Sequence, residues 1–145
     1  MIADDDEDDR SMTLEALEED GRLSNDIYFV EDGEELMDFL RHSGKYVDGG
    51  SSVPRPGLIL LDLNMPKKDG REALAEIKSD PNLKQIPIVV MTTSKAEEDV
   101  FKTYELGVNS FIRKPVSFDG LVEIIHNITK YWLEIVELPT GAKQK

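Results

Sequence analysis

Cysteine is missing from this sequence altogether, which excludes disulfides, thiolate metal sites and a cysteine nucleophile. Histidine is nearly missing too. His42 and His126 lie far from any other candidate ligand, and two imidazoles alone make no metal site. No apolar run approaches the roughly 20 residues that cross a bilayer, so no membrane partner is expected. Basic residues are scarce against acidic ones. The 17 Lys and Arg face 30 Asp and Glu, and a formal charge of −13 repels the phosphates of free duplex nucleic acid. The start, Met1-Ile2-Ala3 followed at once by acids, is the opposite of a secretion signal. A soluble, cytoplasmic protein is expected. Its 145 residues suit one domain, and no second domain is expected.

What is present alternates between short apolar runs and amphipathic stretches. Ile27–Val30, Leu58–Leu61, Ile86–Met91 and Ser110–Arg113 read as strands, the middle two apolar enough to be covered on both faces. Between them, about Asp8 to Glu19 reads as a helix with Leu14 and Leu17 inward. Glu34–Arg41, Arg71–Ser79 and Ala96–Leu106 also show helical spacing, the last ended by Gly107. Ser117 suits a helix cap, with the helix running to about Val136 before Pro139. Residues 43–57 are rich in Gly, Ser and Pro and read as a loop. Strand–helix alternation of this kind predicts an α/β fold, a doubly wound parallel sheet with helices on both faces. The first strand is short: only Met1, Ile2 and Ala3 precede the acids, where a central strand wants four or five residues. The expectation is that a few native N-terminal residues are lacking or trimmed.

The polar residues that end these runs are informative. Asp4 and Asp5 follow strand one, Asp62 ends Leu58–Leu61, Thr92 ends Ile88–Met91, and Lys114 ends Phe111–Arg113. In a parallel sheet those ends share one edge, where ligands bind. Two carboxylates about 4 Å apart repel by roughly 4 kcal/mol at an effective dielectric near 20. Either some protonate or a cation sits among them. Oxygen ligands without Cys or His select a hard ion such as Mg²⁺. A carboxylate beside such an ion and an ammonium is equipped to attack phosphorus and become an aspartyl phosphate.

In these residues the chain resembles the receiver domains of two-component response regulators, over nearly its full length. Asp4-Asp5 matches the acidic pair, and Asp62 with Leu63-Asn64-Met65-Pro66 and Asp69-Gly70 matches the phosphoacceptor strand and loop. Thr92 matches the family's hydroxyl, Lys114-Pro115 its Lys-Pro, and Phe111 its aromatic switch position. The resemblance implies a flavodoxin-like receiver fold with five parallel strands in the order 2-1-3-4-5. It would cover residues 1–139 with an extended last helix, leaving 140–145 as a flexible tail. It implies a phosphoryl group taken from a histidine kinase onto Asp62, in a signalling phosphoacceptor that is no enzyme beyond weak self-dephosphorylation. Mg²⁺ would be bound by Asp5, Asp62 and the backbone carbonyl of Asn64, with Asp4 acting through a water. Thr92 and Lys114 would contact the phosphoryl oxygens, Phe111 would turn inward on switching, and the Lys114–Pro115 bond would be cis. Asn64 and Ser94 would tune the rate of phosphate loss. The long loop at 43–57 and the stretch from Tyr131 to Pro139 resemble lone receivers that serve phytochrome-type histidine kinases. Such receivers are often homodimers through the face of helix four, strand five and helix five.

Plainer readings exist for several of these residues. Asp6, Glu7, Asp8 and Asp9 read as solvated charge at a helix start. Thr93 is an alternative to Thr92, Lys114 alone would pass for a surface lysine, and Phe111 alone for core. Tyr131, Trp132, Ile135 and Val136 either form a contact surface or fold back on their own domain, and the sequence leaves both open. Three rival functions fit these residues less well. A haloacid-dehalogenase-type phosphatase wants a second Asp where Asn64 stands, and a cap domain. A flavin module wants a phosphate cradle where Asp4 to Asp9 would repel one. A degenerate receiver that only binds partners would not need the intact acids, Thr92 and Lys114.

Overall fold

The computed structural model describes residues 1–20, 27–47, 53–93 and 96–139. Five strands alternate with five helices: β1 (Ile2–Ala3), α1 (Glu7–Asp20), β2 (Phe29–Val30), α2 (Gly33–Arg41), β3 (Ile59–Leu61), α3 (Gly70–Ser79), β4 (Ile88–Thr92), α4 (Glu97–Leu106), β5 (Ser110–Arg113) and α5 (Phe118–Thr129). All pairings are parallel, in the order β2-β1-β3-β4-β5. This is the flavodoxin-like arrangement expected.

The side-chain period of a strand divides the core in two. Ile59 and Leu61 of β3 and Ile88 and Val90 of β4 join Leu36, Met37 and Phe39 of α2 and Ala73, Leu74 and Ile77 of α3. Leu60, Val89 and Met91 point the other way, onto Ala16 and Leu17 of α1 and Leu121, Ile125 and Ile128 of α5. Burying an aliphatic side chain of this size is worth about 1.5–3 kcal/mol, and with both faces of β3 and β4 covered the sheet centre is apolar throughout. β2 is shorter than the predicted Ile27–Val30. Its neighbour β1 offers only two residues, in the register Ile2↔Phe29 and Ala3↔Val30.

Helix ends follow local chemistry. Asp32 caps α2 by accepting from the Glu35 amide (2.7 Å), and His42 closes the helix in the left-handed region (φ 54°). Asp69 and Glu72 form a reciprocal capping box on α3. Ser117 caps α5 as expected, accepting from the Gly120 amide at 3.0 Å. The last helix does run to Ile135, but its final stretch, Lys130–Ile135, is a π-helical turn. The loop at 43–57 contains a 3-10 turn at Gly44–Tyr46. Its residues 48–52, like Ser94 and the tail from 140 to 145, lie outside the described residues. No helix among the described residues is long and apolar enough to cross a membrane.

The C-terminal stretch folds back on its own domain in part. Trp132 packs against the core between the sheet and α1/α5, whereas Tyr131 and Ile135 are exposed. α4 is the least apolar of the helices against the sheet side. Its buried residues are Asp99 and Thr103, while Phe101 (67% exposed), Tyr104 and Leu106 face outward.

Candidate phosphoacceptor and metal site

Backbone hydrogen bonds of the parallel sheet deliver the polar residues to one edge. The Asp4 amide donates to the Val30 carbonyl (3.0 Å), the Asp62 amide to the Ala3 carbonyl (3.0 Å), and the Lys114 amide to the Thr92 carbonyl (2.9 Å). Asp4, Asp62 and Thr92 are buried, and the Lys114 side chain is nearly so. The loop after β3 folds back over the same edge. The Gly70 amide reaches the Leu63 carbonyl (2.9 Å), and a Cβ at Gly70 would run into the Asp62 carbonyl oxygen and stand 2.7 Å from the Leu63 Cα. Only glycine permits that approach.

The side chains converge. The Thr92 hydroxyl donates to Asp62 Oδ1 at 2.8 Å, and the Asn64 amide donates to the same oxygen at 3.1 Å. Lys114 Nζ lies 2.7 Å from Asp4 Oδ2, 2.8 Å from Asp9 Oδ2 and 3.5 Å from Asp62 Oδ2. Asp4 Oδ1 accepts from the Asp6 amide at 3.0 Å, and the Asp4 carbonyl accepts from Arg10 Nη1 at 2.9 Å. Asp5, exposed at the mouth, completes a group in which one carboxylate oxygen each from Asp4, Asp5 and Asp62 lies within 4.8 Å of the others. Phe111 on β5 is half-buried against the α2/α3 core, and its amide is within 3.2 Å of the Tyr104 hydroxyl.

Three carboxylates thus face one ammonium, and a fourth, Asp5, stands beside two of them. Burial pushes the Asp4 carboxyl up from its ordinary value, with the charge of Asp62 adding to it and Lys114 and the Asp6 amide opposing. Burial works against the Lys114 ammonium, but hydrogen bonds to Asp4 and Asp9 and the charges of Asp4 and Asp62 outweigh it and hold its pKa well above the ordinary lysine value. One lysine cannot balance this cluster, so a hard divalent cation fits it. The donors are all oxygen, and Asp5 leaves the group open to solvent.

The structure therefore brings together Asp4, Asp5, Asp62, Thr92 and Lys114. Asn64 stands beside Asp62 with an exposed side chain, and Thr93, the alternative hydroxyl, is exposed. One expectation is corrected. The Lys114–Pro115 bond is trans, as is every peptide bond among the described residues. Trans is the favoured isomer even before proline, by about 0.5–1 kcal/mol. Here the Lys114 amide is fixed on Thr92 and the chain reaches the Ser117 cap without a reversed bond.

The sequence reading missed Asp9 and Arg71. Asp9 reads as solvated charge in the sequence, yet from the first turn of α1 its carboxylate reaches Lys114 at 2.8 Å. Arg71 grips Asp99 of α4 through two bonds, Nε to Oδ1 (2.8 Å) and Nη2 to Oδ2 (2.7 Å). Its Nη1 also reaches the carbonyl of Leu63, the residue after Asp62, at 3.4 Å. No periodicity in the sequence marks that pair.

Comparison with known proteins agrees with this geometry. The model of the response regulator receiver domain family matches residues 1–126. The chain is 43% identical over 141 residues to Response regulator Rcp1 of Synechocystis sp., covering 97% of this chain and 92% of that protein. Among solved structures it is similar to the phosphorylated cyanobacterial phytochrome response regulator RcpA, with a TM-score of 0.86, 44% identity and 95% of each chain covered. It is likewise similar to the Mn(2+)-bound form of Rcp1, with a TM-score of 0.84, 44% identity and coverage of 95% of this chain and 96% of that one.

Proposed function

Because this chain belongs to the response regulator receiver domain family, we propose that it accepts a phosphoryl group from a histidine kinase onto Asp62, with Mg²⁺ beside it. The observation that carries the reading is the contact set of Asp62. Its Oδ1 is oriented by the Thr92 hydroxyl and the Asn64 amide, while Oδ2 faces the Lys114 ammonium at 3.5 Å. An oxygen of the Asp62 carboxylate attacks phosphorus, the bond from phosphorus to the kinase imidazole breaks, and an acyl phosphate is left on Asp62. Asp5, Asp62 and the Asn64 carbonyl would hold the ion. Asp4, with both oxygens already engaged by Lys114 and the Asp6 amide, would act through a water. When bound, the ion supplies positive charge to the phosphoryl oxygens.

Lys114 and Thr92 then hold the new phosphoryl oxygens. Thr92 moving toward the phosphate lets Phe111 turn inward and remodels the face of α4, β5 and α5, a shift between two packings. The exposed Phe101, Tyr104 and Val116 suit that face to a partner, and Tyr131 and Ile135 extend the apolar surface. The exposed apolar side chains suit this surface to homodimerisation, and service to a phytochrome-type kinase follows the likeness to a phytochrome response regulator. Asn64, beside Asp62, tunes loss of the acyl phosphate to water, and Ser94, outside the described residues, is assigned the same role from its place in the sequence. The protein acts in the cytoplasm and makes no contact with nucleic acid, consistent with its charge of −13.

Incubation with acetyl phosphate and Mg²⁺ tests the core of this reading. A mass gain of one phosphoryl group is expected in the wild type and not in Asp62→Asn. No gain, or a gain that survives the substitution, overturns it. Sedimentation of the phosphorylated protein tests the switch: association should appear in the wild type and be lost in Lys114→Ala.

A further inference from the structure

We propose that Asp9 is a positioning residue that competes with the incoming phosphoryl group for Lys114, and so sets the rate at which Asp62 is modified. The inference rests on Asp62 being the phosphoacceptor. An ammonium has three N–H donors, and all three point at carboxylates: Asp4 at 2.7 Å, Asp9 at 2.8 Å and Asp62 at 3.5 Å. The reacting carboxylate holds the longest of the three contacts. The donor aimed at Asp62 can turn to a phosphoryl oxygen there, and drawing Nζ in from 3.5 Å to normal hydrogen-bond length strains its two tighter bonds.

The two tight partners differ in how readily they let go. Asp4 is buried and tethered at both oxygens, by Lys114 and by the Asp6 amide, so releasing it would strand a carboxylate away from water. The Asp9 side chain is 27% exposed at the first turn of α1. Its backbone there is fixed by Asp6, whose Oδ1 accepts from the amides of Asp8 (2.9 Å) and Asp9 (3.2 Å). Water can take over from the ammonium at Asp9 at small cost. Asp9 is therefore the partner that yields as Lys114 shifts toward the phosphoryl group, and its grip on Lys114 is a brake on phosphoryl uptake.

The test is a double-mutant cycle on the full chain. Uptake from acetyl phosphate, in which the phosphoryl group passes to Asp62 and acetate leaves, is timed at saturating Mg²⁺. Wild type, Asp9→Asn, Lys114→Ala and the double variant are compared. Asp9→Asn should be faster than wild type by about 2–5-fold, the worth of one partly exposed ion pair, and Asp9→Glu should keep the slow rate. In the Lys114→Ala background Asp9→Asn should change nothing. An unaltered or slower Asp9→Asn overturns the proposal. So does an equal acceleration without Lys114, which would mean general relief of negative charge.

A second arm needs no phosphodonor or metal. In chelator, the double variant should unfold at the same urea midpoint as Lys114→Ala alone, and additive midpoints would overturn the pair. A wild type that takes up no phosphoryl group defeats the phosphoacceptor reading and this proposal with it, while the urea arm still reports whether Asp9 engages Lys114.

Discussion

Replacing Arg71 with alanine should cost far more than the loss of an ordinary surface arginine. Its guanidinium makes two charge-assisted hydrogen bonds to Asp99, at 2.8 and 2.7 Å, in the planar two-pronged geometry that suits a carboxylate. Asp99 is 8% exposed, so its carboxylate loses a partner it cannot fully replace with water. Charge-assisted bonds are worth about 1.5–3 kcal/mol each, but the Arg71 side chain is 37% exposed and solvent discounts the pair. A net loss of about 2–3 kcal/mol follows, with a fall in Tm of roughly 6–12 °C for a domain of this size. Urea unfolding should show a lower midpoint at unchanged slope. Because Arg71 also touches the Leu63 carbonyl, it ties the first turn of α4 to the loop that follows Asp62. Amide exchange in α4 should therefore quicken more than in α2. The pair itself is isolated by adding Asp99→Ala. The double variant should be less destabilised than the sum of the single variants, by about 1 kcal/mol or more. An Arg71→Ala protein within about 0.5 kcal/mol of wild type, or additive single effects, would refute the reasoning.

Two further outcomes follow from the same structure. Mg²⁺ at about 100 times its Kd should stabilise the wild type by about 2.7 kcal/mol in thermal melts, and Asp5→Asn should lose most of that gain while being no less stable in chelator; equal metal-induced shifts in both proteins would remove Asp5 from the ligand set. Although burial works to raise the Glu35 carboxyl, hydrogen bonds from the Tyr46 hydroxyl (2.6 Å), the Glu31 amide and Lys45 outweigh it and hold the pKa below its ordinary value of 4.5. The stability this supplies is present above pH 4.5 and is lost as pH falls through the lowered value. Tyr46→Phe should therefore cost about 1–2 kcal/mol at pH 7 and less at pH 3, and a loss independent of pH would count against it.

Much of this was legible in the sequence because burial and chemistry coincide on the same residues. β3 and β4 are apolar on both faces, so their runs stand out, and each ends in a polar residue that a buried strand would not otherwise tolerate. Asp62 and Thr92 were found that way. Asp9 was not, since six consecutive acids, Asp4 to Asp9, look alike until the helix sets which ones turn toward Lys114. Within that run the structure gives separate tasks to neighbours: Asp4 anchors Lys114, Asp5 joins the carboxylate group with Asp4 and Asp62, Asp6 caps α1, and Asp9 returns to Lys114. The Arg71–Asp99 pair spans two helices 28 positions apart in sequence, and no local spacing predicts it. The cis bond at Lys114–Pro115 was carried over from resemblance alone, with no feature of these residues demanding it, and the chain is trans there.

The most direct measurement is to locate the modified residue after treatment with acetyl phosphate and Mg²⁺. Borohydride reduces an acyl phosphate to the alcohol, and peptide mapping then identifies which aspartate has become homoserine. Conversion at Asp62 alone, abolished by chelation of the metal, is the expected result. Conversion at Asp4, Asp5 or Asp9 instead, or no conversion anywhere, would contradict the assignment of Asp62 as the nucleophile.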